Sequence, residues 1–366
     1  MLYLFIFTAT LTFFYKLLLK KSKFFRSLLM SLGIFKPSSP PLIVPLITEN
    51  LEGNKAEEKK SESPISLISS VPESQYQREL GTLALTSAEF KDLSHFYKNS
   101  STAGENPRKT KRITSELKQL ANHIPIYPTN SIFLAYDDKN LDIMKAIITG
   151  ADDTPYSHGV FLFDIYFDSN YPSTPPKINL MTTGGDTIRF NPNLYANGYV
   201  CLSLIGTWSG GPNENWNEKS NLLQVLMSIQ SLVMIEGVLY NEPSYQNGRM
   251  SGSNKALDTG YTNIVKYANV KYAIGGYLKD GGPKPFSDIV RKHFYFKRAE
   301  IKKTMQKWLK EAEEIKDGKI PAEYGSLVLS HNYTLASNFA KGKEIYYDEM
   351  KKEVEIVESL LDKLEY

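Results

Sequence analysis

The sequence holds a single cysteine, Cys201, and five histidines in 366 residues. One cysteine excludes an internal disulfide and any cysteine-rich zinc site, and the histidines are too scattered for metal-ligand spacing. A strong charge of either sign is also missing. With 43 Lys and Arg against 40 Asp and Glu, the formal charge is only +3, which points to no nucleic-acid partner. No internal repeat is visible. The free thiol fits a reducing compartment. What is present is 42% hydrophobic residues, enough for a real core, on a chain long enough for two ordinary domains or one large domain with extensions.

Residues 1–19 are apolar apart from Lys16 and three threonines; Lys20, Lys21, Lys23 and Arg26 follow, then a second apolar piece from Phe24 to Phe35. A run of about 20 residues spans a bilayer, provided that Lys16 snorkels. The lack of a basic start and of a small-x-small cleavage site argues against a cleaved signal peptide. Two readings stay open for residues 1–35. One is a spanning anchor, whose positive flank keeps the following chain on the cytoplasmic side. The other is an amphipathic helix on the membrane surface. Residues 36–108 shift to proline, serine and charge, and read as a flexible tether with one short helix near Ser87–Tyr97.

Order is expected from Lys109. Ile113, Leu117 and Leu120 recur at helical spacing, with Lys109, Lys111, Arg112 and Lys118 largely off that face. Four strands are then expected, at Ile132–Tyr136, Leu141–Thr149, Gly159–Phe167 and Lys177–Met181, forming an antiparallel meander. Pro175-Pro176 forbids helix in the bend Tyr171–Pro176, which is expected to be rigid and exposed. Gly206 to Asn217 reads as a loop pinned by Trp208 and Trp216. Asn217 or Ser220 is expected to cap a helix running to about Glu236, with further helices at Tyr261–Leu278 and Phe286–Ile315. His293 lies on an apolar stretch and reads as a packed core residue. Met350, Val354, Val357, Leu361 and Leu364 form a near-heptad stripe, too short for a coiled coil, and predict a helix folded back on the domain.

The stretch that carries chemistry is R-F-N-P-N-L-Y-A-N-G-Y-V-C-L-S-L, from Arg189 to Leu204. Asn191-Pro192 sets a turn, and Asn197-Gly198 offers a left-handed position. Val200, Leu202 and Leu204 alternate with Cys201 and Ser203, which predicts an extended piece with the thiol on the unburied face. A reactive thiol needs access, a favourable field and a donor for the developing oxyanion, and the Asn193 carboxamide is a candidate donor. A lone cysteine is otherwise an inert buried residue, and Asn-Pro-Asn just a turn.

Together these strings resemble the ubiquitin-conjugating enzymes, which read H-P-N, a short loop and then the catalytic cysteine. Here Asn191 stands at the histidine position. F-N-P-N-L-Y, V-C-L-S-L, the Y-P-x-x-P-P of Tyr171–Pro176, N-E-P-x-Y at 241–245 and H-F-Y-F-K-R at 293–298 are similar to the large members related to the giant inhibitor-of-apoptosis conjugating enzyme/ligase. The resemblance implies an α+β fold, a four-stranded antiparallel meander flanked by helices, with a catalytic core over 109–315 and a C-terminal helical segment over 316–366. It implies an acyltransferase that accepts ubiquitin or a ubiquitin-like protein from an activating enzyme as a thioester on Cys201. Transfer to lysines of protein substrates follows, with Asn193 as oxyanion donor or loop stabiliser. Candidate contacts for the activating enzyme are Lys109, Lys111, Arg112 and Lys118, and for a ligase the Tyr171–Pro176 bend. No cofactor or metal is implied, since ATP is consumed by the activating enzyme upstream. A cysteine hydrolase would need a histidine near Cys201 in space, and a silent ubiquitin-binding scaffold of the same fold is the remaining alternative.

Overall fold

The computed structural model describes residues 74–100, 106–208, 214–246 and 252–366. The expected membrane segment, 1–35, and most of the expected tether lie outside these residues. Among the described residues no helix is long and apolar enough to cross a membrane.

Residues 74–100, inside the span expected as tether, are folded. Ser74 caps a short helix, α1 (Gln75–Gly81), through a capping box with Gln77. Strand β1 (Leu85–Ser87) follows, then turns rather than the helix expected near Ser87–Tyr97. Long-range bonds hold this segment: Phe90 N–H donates to Asp137 Oδ2 (2.9 Å), Phe96 N–H to Asp164 Oδ2 (2.7 Å), and the His95 ring pairs with the Met144 carbonyl (3.0 Å). Tyr76, Leu80 and Phe90 are buried. No short-range period announces such burial, so composition alone reads the segment as a tether.

Helix α2 (Pro107–His123) is capped by Asn106, whose side chain accepts from the Arg108 and Lys109 amides, with Pro107 in its first turn. Strands β2 (Ile126–Tyr127), β3 (Asn130–Asp137), β4 (Asn140–Thr149), β5 (Val160–Tyr166) and β6 (Lys177–Leu180) complete a six-stranded sheet of order β1-β3-β4-β5-β6, with β2 against β3. The meander β3 to β6 is antiparallel throughout, and β1 adds to β3 in parallel. Every residue of β5 is buried. Within this dry sheet Lys145 and Asp164 sit opposite each other on β4 and β5 and pair at 2.5 Å, the arrangement a buried charge requires.

Asn221, rather than Asn217 or Ser220, caps helix α3 (Leu222–Ser228), which runs into a π turn at Ile229–Val233. Helix α4 (Gly252–Ala268) likewise passes into π geometry at Asn269–Gly276. Helix α5 (Ser287–Lys316) buries Ile289, Val290, His293, Phe294, Ile301, Met305, Trp308, Ala312 and Ile315 at three- and four-residue spacing. Beyond it lie α6 (Ser326–His331), α7 (Tyr333–Phe339) and α8 (Lys343–Asp362). Helix α8 folds back as its stripe predicts, burying Met350, Val354, Val357 and Leu361. His293 is a core residue, held between the Tyr76 hydroxyl (2.9 Å) and the His158 carbonyl (2.9 Å).

Candidate active site

After β6 the chain doubles back through a tight loop. Gly198 has φ +84°, as the Asn197-Gly198 pair predicts, and its carbonyl accepts from the Leu180 amide at 2.8 Å. A Cβ there would lie 2.3 Å from Asn179 Nδ2 and 2.4 Å from the Leu180 carbonyl, so the close approach as well as the backbone angle demands glycine.

The Asn191-Pro192-Asn193 turn is built around Asn191, which is fully buried. Its amide donates to the Tyr156 hydroxyl (2.9 Å) and the Val233 carbonyl (3.0 Å). Its oxygen accepts from the Asn193 backbone N–H (2.9 Å) and Asn241 Nδ2 (3.1 Å). A carboxamide offers two donors and two lone pairs, and all four are used. Asn at the position where the family commonly has His therefore leaves no gap. Tyr156 and Asn241 complete the arrangement, and neither is apparent from the local sequence.

Asn193 brackets Cys201. Its carbonyl accepts the Cys201 N–H (2.9 Å), and its Nδ2 donates to the Cys201 carbonyl (2.8 Å). The two residues singled out in the sequence are thus brought together, with the carboxamide committed to the loop. The thiol is not on an open face. Alternation ends at Leu202, because Ser203–Ile205 close into a 3-10 turn that ends at Gly206. Cys201 is 3% exposed, and its Sγ donates to the Thr207 carbonyl at 3.1 Å. The Thr207 hydroxyl ties the loop further, accepting from the Leu202 amide (2.8 Å) and donating to the Val200 carbonyl (2.8 Å). Burial pushes the Cys201 thiol above its ordinary pKa; the Arg189 guanidinium pulls it down and the Glu242 carboxylate adds to the rise.

The surroundings correct several expectations. Lys109 is 4% exposed, pairing with Asp142 Oδ1 at 2.6 Å, so it is a structural cation and not a free docking group. Arg112 points inward to Glu116 and to the carbonyls of Glu218 (3.0 Å) and Ser220 (2.5 Å). Lys111 and Lys118 are exposed on α2. Glu116 also receives the Tyr171 hydroxyl and the Leu222 amide (2.8 Å), joining α2, the proline bend and α3. The bend itself is only partly open: Tyr171, Pro172 and Pro176 are buried, and Ser173 is exposed. Trp216 anchors its loop through Nε1 to the Pro172 carbonyl (2.8 Å), whereas Trp208 is 41% exposed. Among the described residues no group of His, Cys, Asp and Glu gathers as for a metal ion.

A four-stranded meander flanked by helices, with a cysteine loop braced by an N-P-N turn, is the architecture of a ubiquitin-conjugating-enzyme domain. Residues 112–255 match the family model described as "Ubiquitin-conjugating enzyme". Over that span the chain therefore carries a ubiquitin-conjugating-enzyme domain, similar to those of the large conjugating enzymes. It is 41% identical over 223 residues to the human "Dual E2 ubiquitin-conjugating enzyme/E3 ubiquitin-protein ligase BIRC6", covering 61% of this chain and 5% of that protein. To the Caenorhabditis elegans "Probable ubiquitin-conjugating enzyme protein 17" it is 42% identical over 201 residues, 55% of this chain and 28% of the relative. To the Arabidopsis thaliana "Probable ubiquitin-conjugating enzyme E2 26" it is 33% identical over 244 residues, 64% of this chain and 43% of the relative. The chain thus spans well under two thirds of each of these proteins.

Proposed function

We propose that this chain is a ubiquitin-conjugating enzyme that carries ubiquitin, or a ubiquitin-like protein, as a thioester on Cys201 and passes it to lysine amines. The observation that carries the reading is the bracket around the only cysteine: Asn193 holds both the N–H and the carbonyl of Cys201, within a turn whose Asn191 carboxamide is fully paired.

In the first step the Cys201 thiolate attacks the acyl carbon of the modifier's thioester on the activating enzyme. A new S–C bond forms, the old one breaks, and the departing thiolate takes up the proton. In the second step a neutral lysine amine attacks the Cys201 thioester. A C–N bond forms, Cys201 leaves as thiolate, and the amine proton passes to it or to solvent. Each step places negative charge on the acyl oxygen, which a nearby donor stabilises. In the resting structure the Asn193 amide is engaged with the Cys201 carbonyl, which supports a role in holding the loop. Neither step requires a cofactor, ATP being consumed upstream. Lys111 and Lys118 remain as contacts for the activating enzyme, and exposed Ser173 at the bend as a ligase contact. The apolar run within 1–35 would associate the protein with a membrane, leaving the catalytic domain cytoplasmic.

Single-turnover discharge tests the reading. Full-length protein charged with ubiquitin should lose its adduct to free lysine and yield a lysine conjugate; an adduct indifferent to lysine would count against direct transfer. One observation favours a second reading. A thiol that is 3% exposed and bonded to Thr207 also suits a silent scaffold that binds ubiquitin without carrying it. Such a protein would never form the adduct.

A further inference from the structure

We infer that Arg189 is a positioning residue for this chemistry: its guanidinium is a fixed cation held against the Cys201 loop, where it favours the attacking thiolate. The inference rests on the reading of Cys201 as nucleophile and adds a residue to it.

The backbone of Arg189 is clamped from the C-terminal helices. Asn332, between α6 and α7 and 2% exposed, accepts the Arg189 N–H through Oδ1 (2.9 Å) and donates through Nδ2 to the Arg189 carbonyl (3.0 Å). The Tyr261 hydroxyl donates a second bond to that carbonyl at 3.1 Å. Residues beyond Ile315 therefore fix where the active-site turn begins. The side chain is tied to both arms of the loop. Nη2 donates to the Pro192 carbonyl at 2.5 Å, immediately before Asn193. The guanidinium carbon lies 3.5 Å from the centre of the Tyr195 ring, and the Tyr195 amide pairs with the Tyr199 carbonyl at 3.0 Å on the arm that leads to Cys201. Guanidinium stacking of this kind holds charge in place without neutralising it.

No carboxylate among the described residues forms an ion pair with Arg189, and its Nε is buried without a hydrogen-bond partner. His331, which also lies in its field, is held down to about 4 by burial and by Arg189, and so is neutral at working pH. The sulfur needs such support. Ionisation removes the bond from Sγ to the Thr207 carbonyl and leaves an anion facing a carbonyl oxygen. Glu242 opposes the thiolate and Arg189 favours it. A cation with a rigid seat supplies this field with little reorganisation at the moment of attack.

The test is the pH dependence of iodoacetamide alkylation of the full-length protein, read by intact mass. With one cysteine in the chain, the adduct that Cys201→Ala lacks reports on Cys201 alone. R189Q should raise the midpoint by about one unit or more, slowing alkylation at pH 7.5 about tenfold while leaving the high-pH plateau unchanged. R189K should restore most of the shift; a midpoint as high as that of R189Q would remove charge as the cause. A merely structural role changes the plateau, through access to the sulfur, and leaves the midpoint in place. Equal midpoints in wild type and R189Q therefore overturn the inference. If R189Q fails to fold, Tyr195→Leu takes its place: it keeps the charge but removes its seat, and should shift the midpoint in the same direction by less. An unmoved midpoint there would equally overturn the inference. The assay uses no activating enzyme, so its failure is separate from any failure to carry ubiquitin.

Discussion

Replacing Asn191 by alanine tests the claim that the active-site turn is held by one side chain. Four hydrogen bonds disappear, but they do not count equally. The Tyr156 hydroxyl keeps its bond to the Phe190 carbonyl (2.8 Å). Asn241 Nδ2 and the Val233 carbonyl keep each other at 3.1 Å. Among the described residues only the Asn193 backbone N–H is left without another partner. One stranded donor in this partly buried turn costs about 1–3 kcal/mol, and the three bonds whose partners are otherwise satisfied cost less than about 1 kcal/mol each. The desolvation released by deleting the amide offsets part of this, which leaves a loss of about 2–4 kcal/mol. Urea unfolding of full-length wild type and Asn191→Ala, with amide exchange measured at Asn193, reads both the global and the local loss. A loss below about 1 kcal/mol with Asn193 still protected would refute the reasoning, since the turn would then be held by something else.

Asn193→Ala should reduce loading and discharge together, by about 10²-fold, because it frees the loop that places the sulfur; normal loading with slow discharge would instead assign the amide to the oxyanion. Glu116→Ala should cost about 2–4 kcal/mol in chemical unfolding, since it strands the Tyr171 hydroxyl and the Leu222 amide, while Arg112 keeps the Glu218 and Ser220 carbonyls; a shift within error would remove Glu116 as the link between α2 and α3. His158 and His293 are pushed down to about 3 and about 4 by burial. Because the unfolded chain takes up these protons near pH 6.5 and the folded one does not, their stabilisation is complete above that pH and is lost as pH falls toward 4, by up to about 1.4 kcal/mol per unit for each ring. Thermal melts across pH 7 to 4.5 should show the decline and His293→Gln should flatten it; an identical slope in the variant would contradict the assignment.

The meander is legible because β3 to β6 combine β-rich runs with turn residues between them, and their bounds fall within a few residues of those read from the sequence. The cysteine loop is legible because its residues are neighbours in the chain: turn, left-handed glycine and thiol all follow from local chemistry. What escapes is burial that depends on distant partners. Lys109 looks like a surface cation until Asp142 is placed beside it, and Lys145 is tolerable inside the sheet only because Asp164 lies across the ladder. Residues 74–100 carry no period, since Phe90, His95 and Phe96 are tied to Asp137, Met144 and Asp164 rather than to one another. The partners of Asn191 come from Tyr156, Val233 and Asn241, three separate stretches. The hidden thiol follows from a 3-10 turn that a pattern of alternation cannot announce.

The central claim is that Cys201 carries ubiquitin as a thioester. Full-length protein incubated with activating enzyme, ATP and ubiquitin, and run on gels with and without reductant, should show a reductant-sensitive adduct one ubiquitin larger that is absent in Cys201→Ala. No adduct with ubiquitin or with any ubiquitin-like protein paired to its own activating enzyme, from a protein that is folded and still binds ubiquitin, would contradict the account and leave the scaffold in its place.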